Sequence, residues 1–328
     1  FAGEPITMPR RAVLTAEEDG GWRLAQSQIG FAGGYALLEG ALGGGETALE
    51  VKFARMPLRL LDLAGAELGL GGRLSGVIDY RQIGEAAPTA TARVRIDRFS
   101  RAGLVLSSKP VGVLGVIDLN AERLTAAGRL TEGGARLGDI ALRITDLPDG
   151  RDLPDRLLNG RLQGRLMFEG AAETLWRLAA IEAFDLTGPV TIAARATGTL
   201  ADPRITGTLA TDALTVSSAL TGTRIDNVRA RGRFAGSQLE LTRFAGGTPG
   251  GGTVNGSGTI DLAGISATRG PGIDLRASVK SARLLDANGL EATVTGPLRI
   301  VSNGRGGTIG NGRQSCHRAR CRSSGLPW

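Results

Sequence analysis

The sequence predicts an all-β fold: a repetitive, curved antiparallel sheet with one apolar face and a few short helices. Three observations predict it. Apolar and polar residues alternate with period two over many segments, as in a strand with one dry and one wet face. Turn signals separate these segments every eight to twelve residues, a spacing that suits hairpins and leaves no room for βαβ units. The composition favours thin strands over a thick globular core: Gly supplies 51 of 328 residues, aromatics only 4%, and Leu, Val, Ile and Ala carry most of a 41% hydrophobic content.

Ile273 to Lys280 shows the alternation most clearly, with Ile273, Leu275, Ala277 and Val279 on one face and Asp274, Arg276, Ser278 and Lys280 on the other. Residues 190–197 follow the same rule, as do 254–262, where Gly256 and Gly258 take small inward positions, and 93–97 in shorter form. Gly133-Gly134, Asp202-Pro203, Gly250 to Gly252 and Gly270-Pro271-Gly272 mark turns. Two segments have helical character. Pro57 to Leu63 places Pro at a helix start ahead of a Leu cluster, and 172–180 spaces Leu175, Leu178 and Ala179 at helical intervals. Each is too short to persist without packing on the sheet. Trp176 is expected to pin the second one down.

These units recur. Leu70-Gly71-Gly72-Arg73-Leu74 follows the first helix-like segment, and Leu186-Thr187-Gly188-Pro189-Val190 follows the second at nearly the same distance. Val294-Thr295-Gly296-Pro297-Leu298 is a third copy, preceded by Arg283-Leu284-Leu285-Asp286, which echoes Arg59-Leu60-Leu61-Asp62. The markers Gly72, Gly188 and Gly296 define diverged repeats of about 110 residues, too long for one solenoid turn, so each holds several strands and a cap. Residues 1–300 form the repeat region. Residues 301–328 form an atypical basic tail, read as disordered or frame-shifted.

The formal charge of +7 resolves by position. Arg305, Arg313, Arg318, Arg320 and Arg322 lie in a tail without acids, so the body is close to neutral. A nucleic-acid reader would need a clustered basic face with stacking aromatics, and none is expected as a partner. Cys316, His317 and Cys321 are too crowded for structural zinc spacing and lack a fourth ligand. The sequence has no other His, no HExxH, no Walker A and no nucleophile elbow. Its glycine runs precede alternating strand residues where a phosphate cradle would open a helix. No catalytic, cofactor or metal residues are therefore assigned, and the chain is read as non-enzymatic. It has no stretch of about 18 apolar residues and no signal peptide. Phe1 at the start leads to the expectation that an N-terminal segment precedes it.

Gly198-Thr199-Leu200-Ala201-Asp202-Pro203-Arg204-Ile205-Thr206-Gly207-Thr208-Leu209 resembles the G-x-L-x-x-P-x-I-x-G-x-L signature of the TamB (translocation and assembly module) family, in the AsmA-like group. Residues 222–228, 236–241 and 251–260 follow in the family's order, and 101–110 and 175–178 also look like it. The resemblance covers about residues 30–305. It implies a long β structure folded like a taco, crossing the periplasm from an N-terminal inner-membrane anchor. It also implies roles in moving phospholipid and in assembling outer-membrane proteins, with an Omp85-type, TamA-like partner. The chain departs from the family in lacking the anchor and in its tail.

On this reading Val190, Ile192, Ile205, Leu209, Ile260, Leu262, Ile273, Leu275, Val279, Leu298 and Ile300 line a groove for phospholipid acyl chains. A two-chain lipid has about 30 methylenes, whose exposure costs on the order of 24 kcal/mol at ~0.8 kcal/mol each, so a carrier must cover them continuously. Two other readings remain: a scaffold that pairs its edge strands with client β-barrel proteins, and a secreted repeat adhesin. A groove and a filled sandwich core both satisfy the alternation.

Overall fold

The computed structural model describes residues 5–64, 69–102, 108–148, 152–178, 184–219, 221–263, 269–287 and 290–311. Cys316, His317 and Cys321 lie outside them. In chain order the strands begin with β1 (Ile6–Thr7), β2 (Leu14–Ala16), β3 (Trp22–Phe31), β4 (Gly34–Leu42) and β5 (Glu46–Pro57). A 3-10 helix (Leu58–Ala64) leads to β6 (Leu70–Ile83), β7 (Thr89–Arg101), β8 (Val111–Leu119), β9 (Arg123–Glu132) and β10 (Ala135–Thr145). Helix α1 (Leu153–Asn159), β11 (Arg161–Ala171), helix α2 (Ala172–Leu178), β12 (Asp185–Thr187) and β13 (Pro189–Thr199) follow. The chain continues through β14 (Pro203–Ser217), β15 (Arg224–Ala235), β16 (Gln238–Thr248) and β17 (Gly252–Asp261). It ends in β18 (Gly272–Ala287), β19 (Leu290–Asn303) and β20 (Gly307–Asn311).

From β3 to β20 the chain is one antiparallel meander in which each strand pairs with the next. The short β12 is an extension of β13 broken at Gly188, so β11 pairs with β13 directly, and both β12 and β13 pair with β14. The sheet is curved, open and not closed into a barrel. At about 4.8 Å per strand it extends about 75 Å perpendicular to its strands. The predicted turns at 133–134, 202 and 250–252 fall at or within a residue of those places, while Gly270 and Pro271 lead directly into β18. The sheet also runs past residue 300, where the atypical tail was expected to begin: β19 continues to Asn303 and β20 adds another strand over Gly307–Asn311.

Register turns the alternation into rows that cross the sheet. One row runs Phe53, Gly76, Val94, Gly115, Gly128, Ile140, Leu166, Ala194, Gly207, Phe234, Leu239, Ile260 and Ile273. Its neighbour, two residues along each strand (three in β5, across a bulge), runs Met56, Leu74, Ile96, Val113, Leu130, Gly138, Phe168, Ile192, Leu209, Gly232, Leu241, Gly258, Leu275 and Ile300. Neither row holds a charged or hydrogen-bonding side chain. Because the side-chain period is two, the intervening residues all face the other way and make an outer, charged face.

Glycine in these rows allows the strands to bend. Gly207 adopts φ 148° and Gly76 φ 150°, and a Cβ at either would run into a carbonyl oxygen of the paired strand, that of Ala193 or of Arg93. The repeat markers share one conformation, with φ 117° at Gly72, 114° at Gly188 and 129° at Gly296. Bulges recur at the same end of the sheet, around Arg55, Arg98 and Ser281, all at positive φ. At two of them the extra N–H is taken by a hydroxyl across the ladder: Arg55 donates to Ser75 Oγ at 3.0 Å and Ser281 to Thr295 Oγ1 at 2.9 Å.

The helices cap the apolar face. The 3-10 helix contributes Leu60 to a cluster of Phe31, Ala36, Val51 and Met56. Helix α1, capped by Asp152 with Pro154 in its first turn, places Leu153 and Leu157 on Leu119, Ile144, Leu147 and Leu162. Helix α2 places Leu175 and Leu178 on Val111, Leu137, Phe168 and Val190. Arg283 to Asp286, which echoes Arg59 to Asp62 in sequence, lies within β18 and forms no helix.

Candidate functional face

All eleven groove candidates lie on the apolar face. Ile260 and Ile273 pair directly in one row, and Ile192, Leu209, Leu275 and Ile300 belong to the next. The structure divides them by cover. Val190 is buried under α2, and Val279 and Leu298 are buried in a cluster with Val254, Ala277 and Ala282. These three belong to filled core. Ile192 and Leu209 are half-buried at the edge of the α2 cluster, and Ile205, Ile260, Leu262, Ile273, Leu275 and Ile300 are half-buried outside any cluster. The face thus combines filled core with half-open rows, because α2 and the cluster around Val279 cover some candidates and leave others partly bare.

Sequence reasoning passed over a bare stretch of the face in the first half of the chain. Leu49 (40% exposed), Ile117 (41%) and Ile140 (48%) point to the apolar side between the three caps. Their signal was present: residues 140–144 alternate as clearly as 190–197, but the family-like motifs drew attention to the later repeats.

Helix α2 is the best-anchored cap. Trp176 Nε1 donates to the Phe184 carbonyl at 2.6 Å, the pinning role expected of it. Arg177 reaches Asp185 at 2.6 Å, and Arg101 donates to the Leu178 carbonyl at 3.2 Å from a strand four places away in the sheet. The buried Glu173 accepts from Lys109 Nζ at 2.9 Å and from the Gly188 N–H at 3.2 Å. Burial pushes the Glu173 carboxyl up, but the hydrogen bonds from Lys109 and the backbone outweigh it and hold the group below the usual carboxylate range. A depressed folded-state pKa stabilises the fold above the unfolded carboxylate value, and that stability is lost as pH falls through the folded value. Glu173→Ala is therefore expected to loosen α2 by about 1–3 kcal/mol at neutral pH, with the difference from wild type vanishing in acid. Amide exchange of 172–178 at two pH values measures this.

The outer face is an ion-pair lattice. Asp274 pairs with Arg299 at 2.8 Å, Asp226 with Arg224 at 2.9 Å, and Arg129 with Asp139 at 3.2 Å. The Arg299 hydrogen bond holds the Asp274 carboxyl below its ordinary range, and Arg224 does the same for Asp226. Two shallow depressions also lie on this face, between rows of outward side chains. One of about 530 Å³ is lined by Glu39, Glu50, Asp79 and Arg81 among others, and one of about 690 Å³ by Arg93, Val116, Ala127, Ala141, Arg143 and Arg165. Among the described residues no group of three or more His, Cys, Asp or Glu could hold a metal ion, and no helix is long and apolar enough to cross a membrane.

The fold and this face together define a class: a long open meander, apolar on one side and charged on the other. Comparison with known proteins adds no relative, since no family model, curated protein or solved structure matches the chain.

Proposed function

We propose that this chain is a non-enzymatic, periplasmic segment of a TamB-like protein that shields phospholipid acyl chains along its apolar face. The observation that carries the reading is the pair of uncharged rows running across the sheet from β5 to β18, with Leu49, Ile117 and Ile140 left substantially bare. An apolar strip of this length is costly to leave in water and suits a continuous apolar ligand, not a discrete one. The full-length protein would be held to the inner membrane by a preceding anchor and would meet an Omp85-type partner at the outer membrane.

The test is lipid carriage by the folded protein. Purified chain is expected to retain phospholipid, extractable and identified by mass spectrometry. Ile192→Asp and Leu275→Asp, which place a charge among the apolar rows, are expected to lower the lipid content several-fold. A folded wild-type protein free of lipid would end this reading.

A second reading has its own observation. Among the described residues, the outer edge of β19 is paired by β20 only over 298–302, and 290–297 have no strand partner on that side. A client-protein scaffold would use that edge by strand addition. Pro at Thr293 or Thr295 would then abolish client assembly while lipid content stayed unchanged.

A further inference from the structure

The cluster around Val279 is covered by strand ends where the other clusters are covered by helices, and this cover has the parts of a flap. Lys280, opposite Thr253, is the last residue of β18 paired with β17, whereas pairing with β19 continues to Ala287 opposite Leu290. The far end of this hairpin folds over the apolar face. Ala282 has no exposed surface, and Leu284 and Val294 pack on the cluster of Val254, Ala277, Val279 and Leu298.

The hinge lies at the bulge where Lys280 and Ser281 stand against Thr295. Ser281 has φ 49° and Gly296 φ 129°, and the Ser281 N–H leaves the ladder for Thr295 Oγ1 at 2.9 Å. The catch is the loop between β14 and β15, reached across β16 and β17. The Asp286 N–H donates to the Thr221 carbonyl at 3.0 Å, and Thr223 Oγ1 donates to the Leu284 carbonyl at 2.5 Å. A further bond joins the Arg283 N–H to Thr248 Oγ1 at 3.2 Å. Gly222 lets the catch close. It has φ 66°, and a Cβ there would run into the Asp286 carbonyl oxygen.

The charges of the hairpin end stay within it, Arg283 pairing with Asp286 at 3.3 Å and with Glu291 at 3.6 Å. Lifting it as a unit therefore keeps its ladder and its ion pairs. What is lost is the three hydrogen bonds to Thr221, Thr223 and Thr248 and an apolar contact. Helix α2 is tied more firmly, through Glu173 to Lys109 and through Arg177 to Asp185. A segment held so lightly opens before the sheet does. Beneath it, Ala277 and Val279 continue the face of half-buried Leu275, and Val254 continues that of Ile260.

We infer that 281–286 and 291–295 form a hinged flap that lifts from the 221–223 loop to admit an acyl chain to the apolar face. The inference rests on the lipid-shielding reading. A chain lying in place of Leu284 and Val294 restores the apolar cover of Val254, Ala277 and Val279. That contact exists only with the flap raised, so the lipid shifts the equilibrium towards the open form.

Hydrogen exchange of the intact chain, resolved to single amides, reads the opening without lipid. Arg283 and Asp286, whose acceptors lie off the flap, are expected to exchange at least tenfold faster than the amides of 273–279. Gly222→Asn suits the left-handed turn and props the flap open, and Thr223→Val removes the hydroxyl from the catch. Each is expected to speed exchange at Asp286 at least threefold, with 273–279 and the circular dichroism spectrum unchanged. Uptake of a fluorescent phospholipid from vesicles of phosphatidylethanolamine and phosphatidylglycerol reads the role, and Gly222→Asn is expected to speed it several-fold. Exchange at Arg283 and Asp286 no faster than in 273–279, or uptake at the wild-type rate in Gly222→Asn, overturns the flap while lipid carriage stands. A folded wild-type chain that takes up no lipid ends the shielding reading, and the flap's role with it, whatever the exchange shows.

Discussion

Gly207→Val is expected to destabilise the centre of the sheet by about 3 kcal/mol or more. Gly207 holds φ 148° between Ala194 and Phe234, and its missing Cβ is what lets β14 approach the Ala193 carbonyl. Valine fails twice there, in backbone conformation and in space, and its β-branched preference for strands cannot compensate. Gly133→Asn is the control. That turn glycine has φ 57° and open space where a Cβ would go, a conformation that Asn tolerates, so a change of at most about 1 kcal/mol is expected. Denaturant midpoints of the two variants, measured with strand signal by circular dichroism, make the comparison.

Phe168→Ala is expected to cost about 3–5 kcal/mol. Phe168 is 2% exposed and sits where α2, Val111, Leu137 and Val190 converge, so truncation leaves a cavity that the sheet backbone cannot collapse to fill. The loss should also be local in character. A meander holds each strand mainly through its two neighbours, so exchange protection should fall first in β10, β11, β13 and α2 and persist in β16 to β18. Uniform loss across all strands would show that the sheet unfolds as one unit.

Much of this fold was legible in the sequence because a half-buried strand writes its period directly into residue type. The faces of 190–197, 254–262 and 273–280 follow from alternation alone, and the register then aligns them. Helix α1 escaped notice although Asp152 followed by Pro154 is an N-terminal signal, because its seven residues give too little apolar period to register. The bulges were illegible for a different reason. Arg55, Arg98 and Ser281 are ordinary residues at positive φ, held there by the ladder opposite them and not by their own preferences. Cover on the apolar face was equally hidden. Val190 and Ile192 have the same sequence signature, yet α2 buries one and leaves its neighbour half-open. Leu284 and Leu285 show the limit of reading by echo, since the residues of the 3-10 helix at 58–64 recur there inside a strand.

The central claim is that one parity of residues faces lipid and the other does not, and photo-cross-linking tests it most directly. A photoreactive side chain would be placed in turn at Ile117 and Ile140 on the apolar face, and at their neighbours Val116 and Ala141 on the outer face. Illumination of the protein in cells is expected to give lipid adducts, detected by mass spectrometry, at 117 and 140 and none at 116 and 141. Equal lipid labelling at both parities, or labelling of protein alone at 117 and 140, would contradict the account.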